Sequence, residues 1–366
     1  MSLNFGINGS ISVNAARPIT VDSTTPIAIV ATTDIVNLGI KFFGNAELAR
    51  LEYSASTAGT LISALDAIIA QGVRCPIILN MLDDSATDIQ VIAAINALST
   101  SEAITGYRPD LIIAPGFSGS AAVGAAMDAI ASRLWCTAIV DVTATTESLA
   151  LSFAGNFGSR HVLLVGPESI SIGGIGMAPS AVYAGVIAAM DASNPFGWAE
   201  SASNRIAKGV SSTTRIVDYA DGQDSEARRL RNAGVASIVR DVGWRTFGFE
   251  TTDIDPIWSP LNRVRSFYKM LRGMILASKW ARDRGADELL MVKQSVEEFM
   301  RGLKGAGVVL GFEAYFDTEK NTKTTVTNGQ FYLTVEVQDM PTIRELNIEL
   351  VYVDNYSDVL LNVING

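Results

Sequence analysis

Two glycine-rich segments of the sequence occupy positions where enzymes hold phosphates or nucleophiles. Residues 115–120 (Pro-Gly-Phe-Ser-Gly-Ser) follow an apolar run and precede a helical pattern, as phosphate loops and nucleophile elbows do. The segment has neither the Gly-x-Ser-x-Gly order of an elbow nor the Gly-Lys-Ser/Thr ending of a P-loop. We therefore interpret it as a strand-to-helix turn in which Ser118 or Ser120 caps the helix. The second segment, residues 166–176, lacks the Gly-x-Gly-x-x-Gly spacing of a dinucleotide-binding loop.

The other reactive residue types do not converge on a site. His161, the single histidine, begins an apolar strand pattern and is interpreted as a hydrogen-bonded residue at the edge of the core. One histidine excludes a multi-histidine metal site, and two cysteines, Cys75 and Cys136, are too few for a zinc site. Asp83 and Asp84 follow a strand pattern, where ligands often bind, but a solvated loop before a helix explains them equally well. The sequence thus predicts no catalytic, cofactor-binding or metal site.

Composition narrows the function classes further. With 38 acidic and 28 basic residues the chain carries a net charge of −10, which disfavours binding to phosphate backbones. Hydrophobic residues make up 48% and charged residues 18%, so a large core can form and wholesale disorder is excluded. The longest apolar run is half the roughly 20 residues of a membrane-spanning helix, and the N-terminus shows no secretory pattern. We expect a soluble, cytoplasmic protein that neither binds nucleic acid directly nor inserts into a membrane.

Residues 26–255 alternate strand-like apolar runs with helical patterns. The predicted strands are 27–31, 75–80, 110–114, 137–142, 161–165 and 237–240. The predicted helices are 58–71, 88–98, 118–133, 145–154, 178–190 and 224–233. Continuous apolar strands separated by helix-length segments favour a mostly parallel sheet covered by helices. We therefore predict an α/β domain over residues 26–255.

The pattern changes after Pro256 and Pro260, which places a domain boundary there. The elements predicted beyond it are two long helices at 261–284 and 287–303 and two period-two runs at 307–317 and 331–338. The stretch between those runs contains Asn328-Gly329, a turn signal, so the runs predict a β-hairpin. Residues 256–366 are thus expected to form an α+β domain, and residues 1–25 an extended arm without a core of its own.

The helix predicted at 261–284 concentrates positive charge in an acidic protein. It holds seven basic residues and one acidic residue. Four of the basic residues are spaced by four, three and seven positions and so form one stripe: Arg265, Lys269, Arg272 and Lys279. An adjacent apolar stripe should face the core. The basic stripe is either a solvated face or a docking face for an acidic partner, where it would contribute to association rate and register.

Each end of the chain contains an alternating run without an obvious local partner. The N-terminal run includes Ile11 and Val13. The C-terminal run, residues 346–353, places three apolar side chains on one face: Ile348, Leu350 and Tyr352. Unpaired strand edges favour addition to the sheet of another chain. When both ends of a chain do this, subunits are tied head to tail, and such contacts close into rings or extend as helical filaments.

One block of sequence, residues 230–265, carries a family resemblance. Its segments are 230–235 (Leu-Arg-Asn-Ala-Gly-Val), 238–240 (Ile-Val-Arg), 243–245 (Gly-Trp-Arg), 247–248 (Phe-Gly) and 255–256 (Asp-Pro). They resemble the tail sheath proteins of contractile-tailed bacteriophages, in the branch shared by temperate enterobacterial phages and R-type pyocins. The resemblance continues through both long helices to residues 341–364 and, more weakly, covers 101–122. The chain departs from the family at Phe247, where Trp is frequent, and at Phe249-Glu250, where Asn-Arg is frequent.

The resemblance implies a structural protein rather than an enzyme. A sheath subunit of this family has an outer α/β domain, here residues 26–255. Its inner domain combines two long helices, a β-hairpin and terminal strand arms, here residues 256–366 with the N-terminal arm. Such a subunit polymerises helically around a tail tube, with its terminal strands added to sheets of neighbouring subunits. It contracts from a metastable extended state, without nucleotide hydrolysis and with no cofactor, and drives the tube through a cell envelope.

The resemblance also implies partners and a location. The partners are further copies of the chain, the tail tube protein, and baseplate and tail terminator proteins. The protein is expected in the tail of the virion, after assembly in the host bacterial cytoplasm. The arm residues Ile11, Val13, Ile348, Leu350 and Tyr352 are expected to make intersubunit strand pairs, and the basic stripe is expected to face the tube.

Three alternatives to these expectations stay open. The second long helix, with Lys293, Arg301 and Lys304, is a rival for the tube contact. The chain could be an α/β enzyme or nucleotide-binding protein that uses the loops after Ala114 and Val165. It could also be the sheath of a related injection machine.

Overall fold

The computed structural model of the chain describes residues 19, 21, 24–35, 38–166, 169–354 and 356–365. Its strands are β1 (Ile27–Thr33), β2 (Gly39–Phe43), β3 (Ile77–Asp83), β4 (Leu111–Ile113), β5 (Thr137–Asp141), β6 (Val162–Gly166), β7 (Ile170–Ile172), β8 (Ile175–Met177), β9 (Val210–Thr213), β10 (Val235–Arg240), β11 (Trp244–Phe247), β12 (Val309–Phe316) and β13 (Leu333–Asp339). Its α-helices are α1 (Ala46–Glu52), α2 (Leu61–Ala70), α3 (Asp88–Ala97), α4 (Ser101–Thr105), α5 (Ala121–Leu134), α6 (Glu147–Ala154), α7 (Pro179–Asp191), α8 (Glu226–Asn232), α9 (Leu261–Ser278), α10 (Leu289–Gly305), α11 (Lys323–Thr327) and α12 (Ser357–Asn365).

An eight-stranded sheet with the order β11-β10-β6-β5-β4-β1-β3-β2 forms the centre of the molecule. Its six inner strands are parallel, and the edge strands β2 and β11 pair antiparallel to their neighbours. In β1 every residue is buried, because helices cover both faces and each side chain enters one of two cores. This is the physical reason why these strands are mostly apolar instead of alternating, and the mostly parallel α/β class predicted from them is confirmed.

Successive residues of the strands feed the two cores on opposite faces. Ile27 and Ile29 pack with the buried residues of α2 and α7, whereas Ala28 and Val30 pack with those of α3 and α5. The start of α9 also belongs to the first core, through Leu261 and Val264. Helix α9 therefore lies partly on the sheet, and the domain division proposed at residue 256 stays a prediction.

A third core lies between α9, α10 and the hairpin β12–β13. Its buried residues are Trp198, Met270, Val296, Met300, Leu303, Val308 and Val309. Ile19 and Val21, from the N-terminal segment, pack against it. A break in the ladder between Val309 and Gly311 shifts the phase of β12, so that Val308 and Val309 are both buried and Leu310 is exposed. The sequence pattern had placed Leu310 on the inner face, and that detail was wrong because the bulge inserts one residue.

The structure corrects one further expectation, on the end of a helix, and adds strands that the sequence analysis did not predict. Helix α9 ends at Ser278 instead of continuing to 284, and a 3-10 turn follows over Lys279–Ala281. The C-terminal run 346–353 pairs with no strand among the described residues, and α12 follows it. The sequence analysis did not identify β2, β11 or the small sheet β8-β7-β9, whose strands have only three to five residues. The N-terminal positions Ile11 and Val13 lie outside the described residues.

Among the described residues, no helix combines the length and the apolarity that crossing a membrane requires.

Candidate functional site

The basic stripe of α9 begins in the interior of the protein. Arg265 forms a two-bond ion pair with Asp191, at the end of α7, and its Nη1 donates to Asp191 Oδ1 at 3.0 Å. The side chains are 4% and 0% exposed, respectively. Burial lowers the pKa of Arg265, but the charge of Asp191, its hydrogen bond and the charge of Asp110 together outweigh burial, and the net pKa is raised. The hydroxyl of Thr25, from the N-terminal segment, donates to the same carboxylate.

The next two stripe residues share one buried carboxylate. Lys269 and Arg272 both form ion pairs with Asp110, which precedes β4. Lys269 Nζ also donates to the carbonyl oxygen of Thr24 at 2.9 Å. Burial raises the pKa of Asp110, but the charges of Lys269 and Arg272 outweigh it and hold that pKa below its ordinary value. The carboxylate is therefore ionised and ties α9 to the sheet.

The stripe is thus not a docking face over most of its length, and this expectation is corrected. Arg265 and Lys269 are buried, and their charges are matched by Asp191 and Asp110, so neither can meet another protein's surface. Arg272 is half-buried and also paired, whereas Lys279 is exposed. The tube-facing assignment remains a prediction for Lys279 alone. The sequence held no signal for the two partner aspartates, because they lie far away along the chain.

His161 also joins α9 to the sheet. Tyr268 Oη lies 2.5 Å from His161 Nδ1, and the two rings are stacked with centroids 5.7 Å apart. Burial lowers the pKa of His161, so the imidazole is neutral near pH 7. The interpretation of His161 as a hydrogen-bonded residue at the core edge is confirmed.

The turn at residues 115–120 holds the sheet together instead of capping a helix. Ser118 is buried, and its Oγ donates to Asp141 Oδ2 at 2.7 Å. Asp141 also accepts from the backbone N–H and the hydroxyl of Ser180, each at 2.7 Å. Burial raises the pKa of Asp141. Ser120 occupies the N-cap position of α5 without a capping side-chain bond. The predicted strand-to-helix turn is therefore confirmed and Ser120 lies at the cap position, but neither serine side chain caps the helix.

The space where a phosphate would lie is occupied by the protein's own atoms. A Cβ placed on Gly116 would lie 2.8 Å from Thr60 Cγ2, and one on Gly119 would lie 2.6 Å from Thr143 Oγ1. The second glycine-rich segment forms the β7–β8 hairpin, turned by Gly173 and Gly174 at positive φ. The arrangement gives neither loop the open cradle of a nucleotide site.

The acidic pair after β3 has a local role as well. Asp83 accepts hydrogen bonds from the backbone and hydroxyl of Ser85, which lower its pKa. Helix α3 is capped by Thr87 together with Gln90, not by the aspartates. Within the described residues no group of three or more His, Cys, Asp or Glu side chains could hold a metal ion.

The C-terminal segment presents a large apolar surface to solvent. Ile348, Leu350 and Tyr352 are 83%, 97% and 88% exposed. Further exposed apolar side chains flank them on both sides: Ile343, Leu346, Val351, Val353, Tyr356, Val359, Leu360, Leu361, Val363 and Ile364. Soluble monomers rarely expose a continuous apolar surface of this size, and such surfaces mark interaction sites. The structure brings the three predicted arm residues together in one exposed segment.

The C-terminal segment leaves the body at an anchored point. Arg231 forms a two-bond ion pair with Glu250 at 3.0 and 2.8 Å, and Arg344 Nη2 lies 3.6 Å from the same carboxylate. Glu250 belongs to the Phe249-Glu250 segment, one of the two places at which the sequence departs from the family pattern. Phe249 is buried in the core that also contains the residues of α2 and α7. Both residues therefore have partners within the chain.

Comparisons with known proteins agree with this picture. No protein-family model matches the chain. The chain is 32% identical over 277 residues to a prophage major tail sheath protein of Pseudomonas aeruginosa (strain UCBPP-PA14), covering 74% of this chain and 71% of that protein. It is 23% identical over 340 residues to the tail sheath protein of Escherichia phage P2, covering 85% of each. In fold it is similar to the contracted helical sheath of the anti-feeding prophage, with a TM-score of 0.72 at 16% identity over 96% of this chain and 99% of that one.

Proposed function

The chain belongs to the tail sheath proteins of contractile phage tails, and from that premise we propose that it polymerises helically around a tail tube. The polymer assembles in the host cytoplasm in a metastable extended state and becomes part of the virion tail. Its contraction drives the tube through a cell envelope. Rigid subunits change their docking while the strands they exchange act as hinges, so that the energy is stored in assembly and needs no nucleotide.

The exposed apolar C-terminal segment is the observation that carries this proposal. Leu350 is 97% exposed, whereas the side chains of the central strand β1 are all buried. Burying a side chain of this kind contributes about 1.5–3 kcal/mol. Burial of several of them against a neighbouring subunit would therefore supply much of the free energy of polymerisation.

The hairpin β12–β13 offers a place for such a segment. Each of its strands pairs only with the other within the described residues, so both outer edges are open to a further strand. We propose that the C-terminal run adds to one edge through the face formed by Ile348, Leu350 and Tyr352, and that the N-terminal run adds to the other through Ile11 and Val13. Main-chain hydrogen bonds would then supply affinity, and alternate side chains specificity.

The tube contact is proposed on the helices beyond the buried part of the stripe. Lys279 is exposed at the end of α9, and on α10 Arg301 and Lys304 are exposed. Lys293 and Arg301 both pair with Glu297, at 3.5 and 3.1 Å, but Lys293 is half-buried whereas Arg301 is 64% exposed, so Lys293 is the weaker candidate. Exposed cations can steer the subunit onto an acidic tube surface and fix its register. The tube protein, the baseplate and the tail terminator are proposed partners in this assembly.

Negative-stain electron microscopy tests the proposal directly. The purified chain is imaged with and without its tail tube protein, at several concentrations. We expect hollow, striated cylinders of uniform width, formed more readily when tubes are present. Monomers or small closed oligomers under all these conditions would contradict polymerisation.

A further inference from the structure

A cleft of about 280 Å³ lies where the sheet, α9 and the N-terminal segment meet. On the side of the sheet its walls include Tyr107, Arg108 and Trp135. On the side of α9 they include Arg272 and Lys279. Apart from Lys279, the function proposed above uses no residue of this cleft, and the sequence pattern gave no indication of it.

The cleft is positively charged in a protein of net charge −10. Its lining contains four basic side chains and two acidic ones: Arg108, Lys269, Arg272, Lys279, Glu102 and Asp110. Asp110 is already shared by Lys269 and Arg272. The cleft therefore keeps an excess of positive charge that the nearby carboxylates do not neutralise.

Arg108 is held in place with part of its hydrogen-bonding capacity unused. Its guanidinium lies over the ring of Trp135, 5.3 Å from the centroid, and Nη2 donates to the carbonyl oxygen of Arg133 at 3.3 Å. Nε is buried and has no hydrogen-bond partner among the described residues. Burial and, after it, the charge of Arg272 lower the pKa of Arg108, and the nearby charges of Glu102 and Asp110 offset this only in part. The side chain as a whole is half-buried and lines the cleft, so an anion there can meet the guanidinium.

The ring of Trp135 is placed against Arg108 by an uncommon backbone conformation. Its φ of 49° lies in the left-handed region, which L-residues other than Asn and Asp rarely adopt. This conformation ends α5 and directs the indole beneath Arg108. A planar ring below a guanidinium leaves the edge of the guanidinium free to bind a carboxylate.

We infer that this cleft receives a carboxylate side chain from a second copy of the chain in the polymer, an inference that rests on the proposed function. The acidic excess of the chain means that a neighbouring copy is rich in carboxylates. The rim adds the exposed apolar side chains of Ile275 and Leu276, which suit a protein surface better than a free ion. The cleft also contacts Val21 and Thr24, so that a bound carboxylate would touch the N-terminal segment, α9 and the sheet together.

The first experiment compares charge reversals in the full-length chain. Arg108→Glu reverses the central cation, and Arg74→Glu is the control, because Arg74 is 76% exposed and lies outside the cleft. Thermal unfolding at low concentration establishes that each variant is folded. We expect Arg108→Glu to raise the critical concentration of polymerisation at least tenfold, and the control to change it less than twofold. A folded Arg108→Glu variant that polymerises like the unmodified chain overturns the inference.

The second experiment measures the cleft without polymerisation. A hexaglutamate peptide is titrated into the full-length chain at low concentration and followed by tryptophan fluorescence, and inorganic phosphate is titrated separately. We expect binding of the peptide that Arg108→Gln weakens at least tenfold and Arg74→Gln leaves unchanged. Equal binding of phosphate and peptide would indicate a site for small anions and overturn the assignment to a second copy, and a peptide that binds independently of Arg108 overturns the site. If the unmodified chain does not polymerise but binds the peptide through Arg108, the proposed function fails while the carboxylate site stands.

Discussion

Arg265 and Asp191 form a buried, two-bond ion pair that connects the helix α9 to the end of α7. The pair gives one residue of a strongly basic helix a structural role, because it joins two helices inside the subunit. The hydroxyl of Thr25 donates a further hydrogen bond to the carboxylate of Asp191, so the N-terminal segment is attached at the same point. We expect this pair to keep the subunit rigid during the contraction proposed above.

Removing one partner of this pair should destabilise the subunit strongly. We expect Arg265→Met to lower the free energy of unfolding by about 3–5 kcal/mol, because it leaves the carboxylate of Asp191 buried without a cation. Urea unfolding followed by circular dichroism measures the change. The control Arg74→Met removes an exposed arginine and should change stability by less than about 0.5 kcal/mol. Equal effects for the two variants would contradict the buried role, and the double variant Arg265→Met with Asp191→Leu should recover part of the loss.

The ionised Asp110 predicts a pH dependence of stability. Its pKa in the folded state lies below the ordinary value of 3.8, since the charges of Lys269 and Arg272 outweigh the effect of burial. A lowered pKa contributes stability that is fully present above the unfolded-state pKa and is lost as the pH falls through the folded-state pKa. We expect the unmodified chain to be more stable than Asp110→Asn at pH 6 and this difference to shrink steadily below pH 4. A difference independent of pH between 6 and 3 would show that Asp110 does not act as a charge.

Substitutions in the exposed C-terminal run should separate folding from assembly. We expect Leu350→Asp to leave the free energy of unfolding of the isolated subunit within about 0.5 kcal/mol, because the side chain is 97% exposed. The same variant should not form cylinders, because a charge would have to be buried against the neighbouring sheet. Electron microscopy and sedimentation measure assembly. Ile216→Asp is the control and should assemble, because Ile216 is 79% exposed and lies outside the C-terminal run. Normal cylinders from Leu350→Asp would rule out the strand addition.

Truncations of the N-terminus should show which of its residues stabilise the subunit and which act only in polymerisation. Residues 19 and 21 pack against the third core, and Thr24 and Thr25 are hydrogen-bonded to Lys269 and Asp191. Deleting residues 1–18 should therefore preserve the unfolding temperature and abolish polymerisation, whereas deleting residues 1–25 should also destabilise the subunit. Calorimetry and electron microscopy of both truncations distinguish these effects. Polymerisation of the shorter truncation at the normal concentration would remove the N-terminal run from the interface.

The tube contact predicts a salt-dependent loss of assembly on tubes. We expect Arg301→Glu with Lys304→Glu, both on the exposed face of α10, to reduce binding to purified tubes at low salt. At high salt the difference in binding between the variant and the unmodified chain should become smaller, since exposed charges are screened within about 10 Å at 0.1 M salt. Cosedimentation with tubes measures binding, and Lys323→Glu on the exposed hairpin tip is the control. Equal binding of variant and unmodified chain at low salt would assign the contact to another surface, such as Lys279.

The sequence by itself determined the class of the fold and the assembly family. Strands buried on both faces are mostly apolar, so the runs that became β1, β3, β5 and β6 could be located without tertiary information. Likewise, Ile348, Leu350 and Tyr352 alternate along a segment that the structure leaves exposed. The shorter strands β2, β7, β8 and β9 were not identified, because pairing with a neighbour stabilises them more than their own pattern does.

The tertiary structure alone decided what the charged residues do. The spacing of Arg265, Lys269 and Arg272 placed them on one face of a helix but could not say what that face meets. Their partners lie 74 residues away at Asp191 and 162 residues away at Asp110, and no local pattern connects such positions. Burial of a charge depends on whether chain folding brings an opposite charge within reach, which is a property of the whole structure. For the same reason the cleft around Arg108 exists only because α5, α9 and the N-terminal segment meet there.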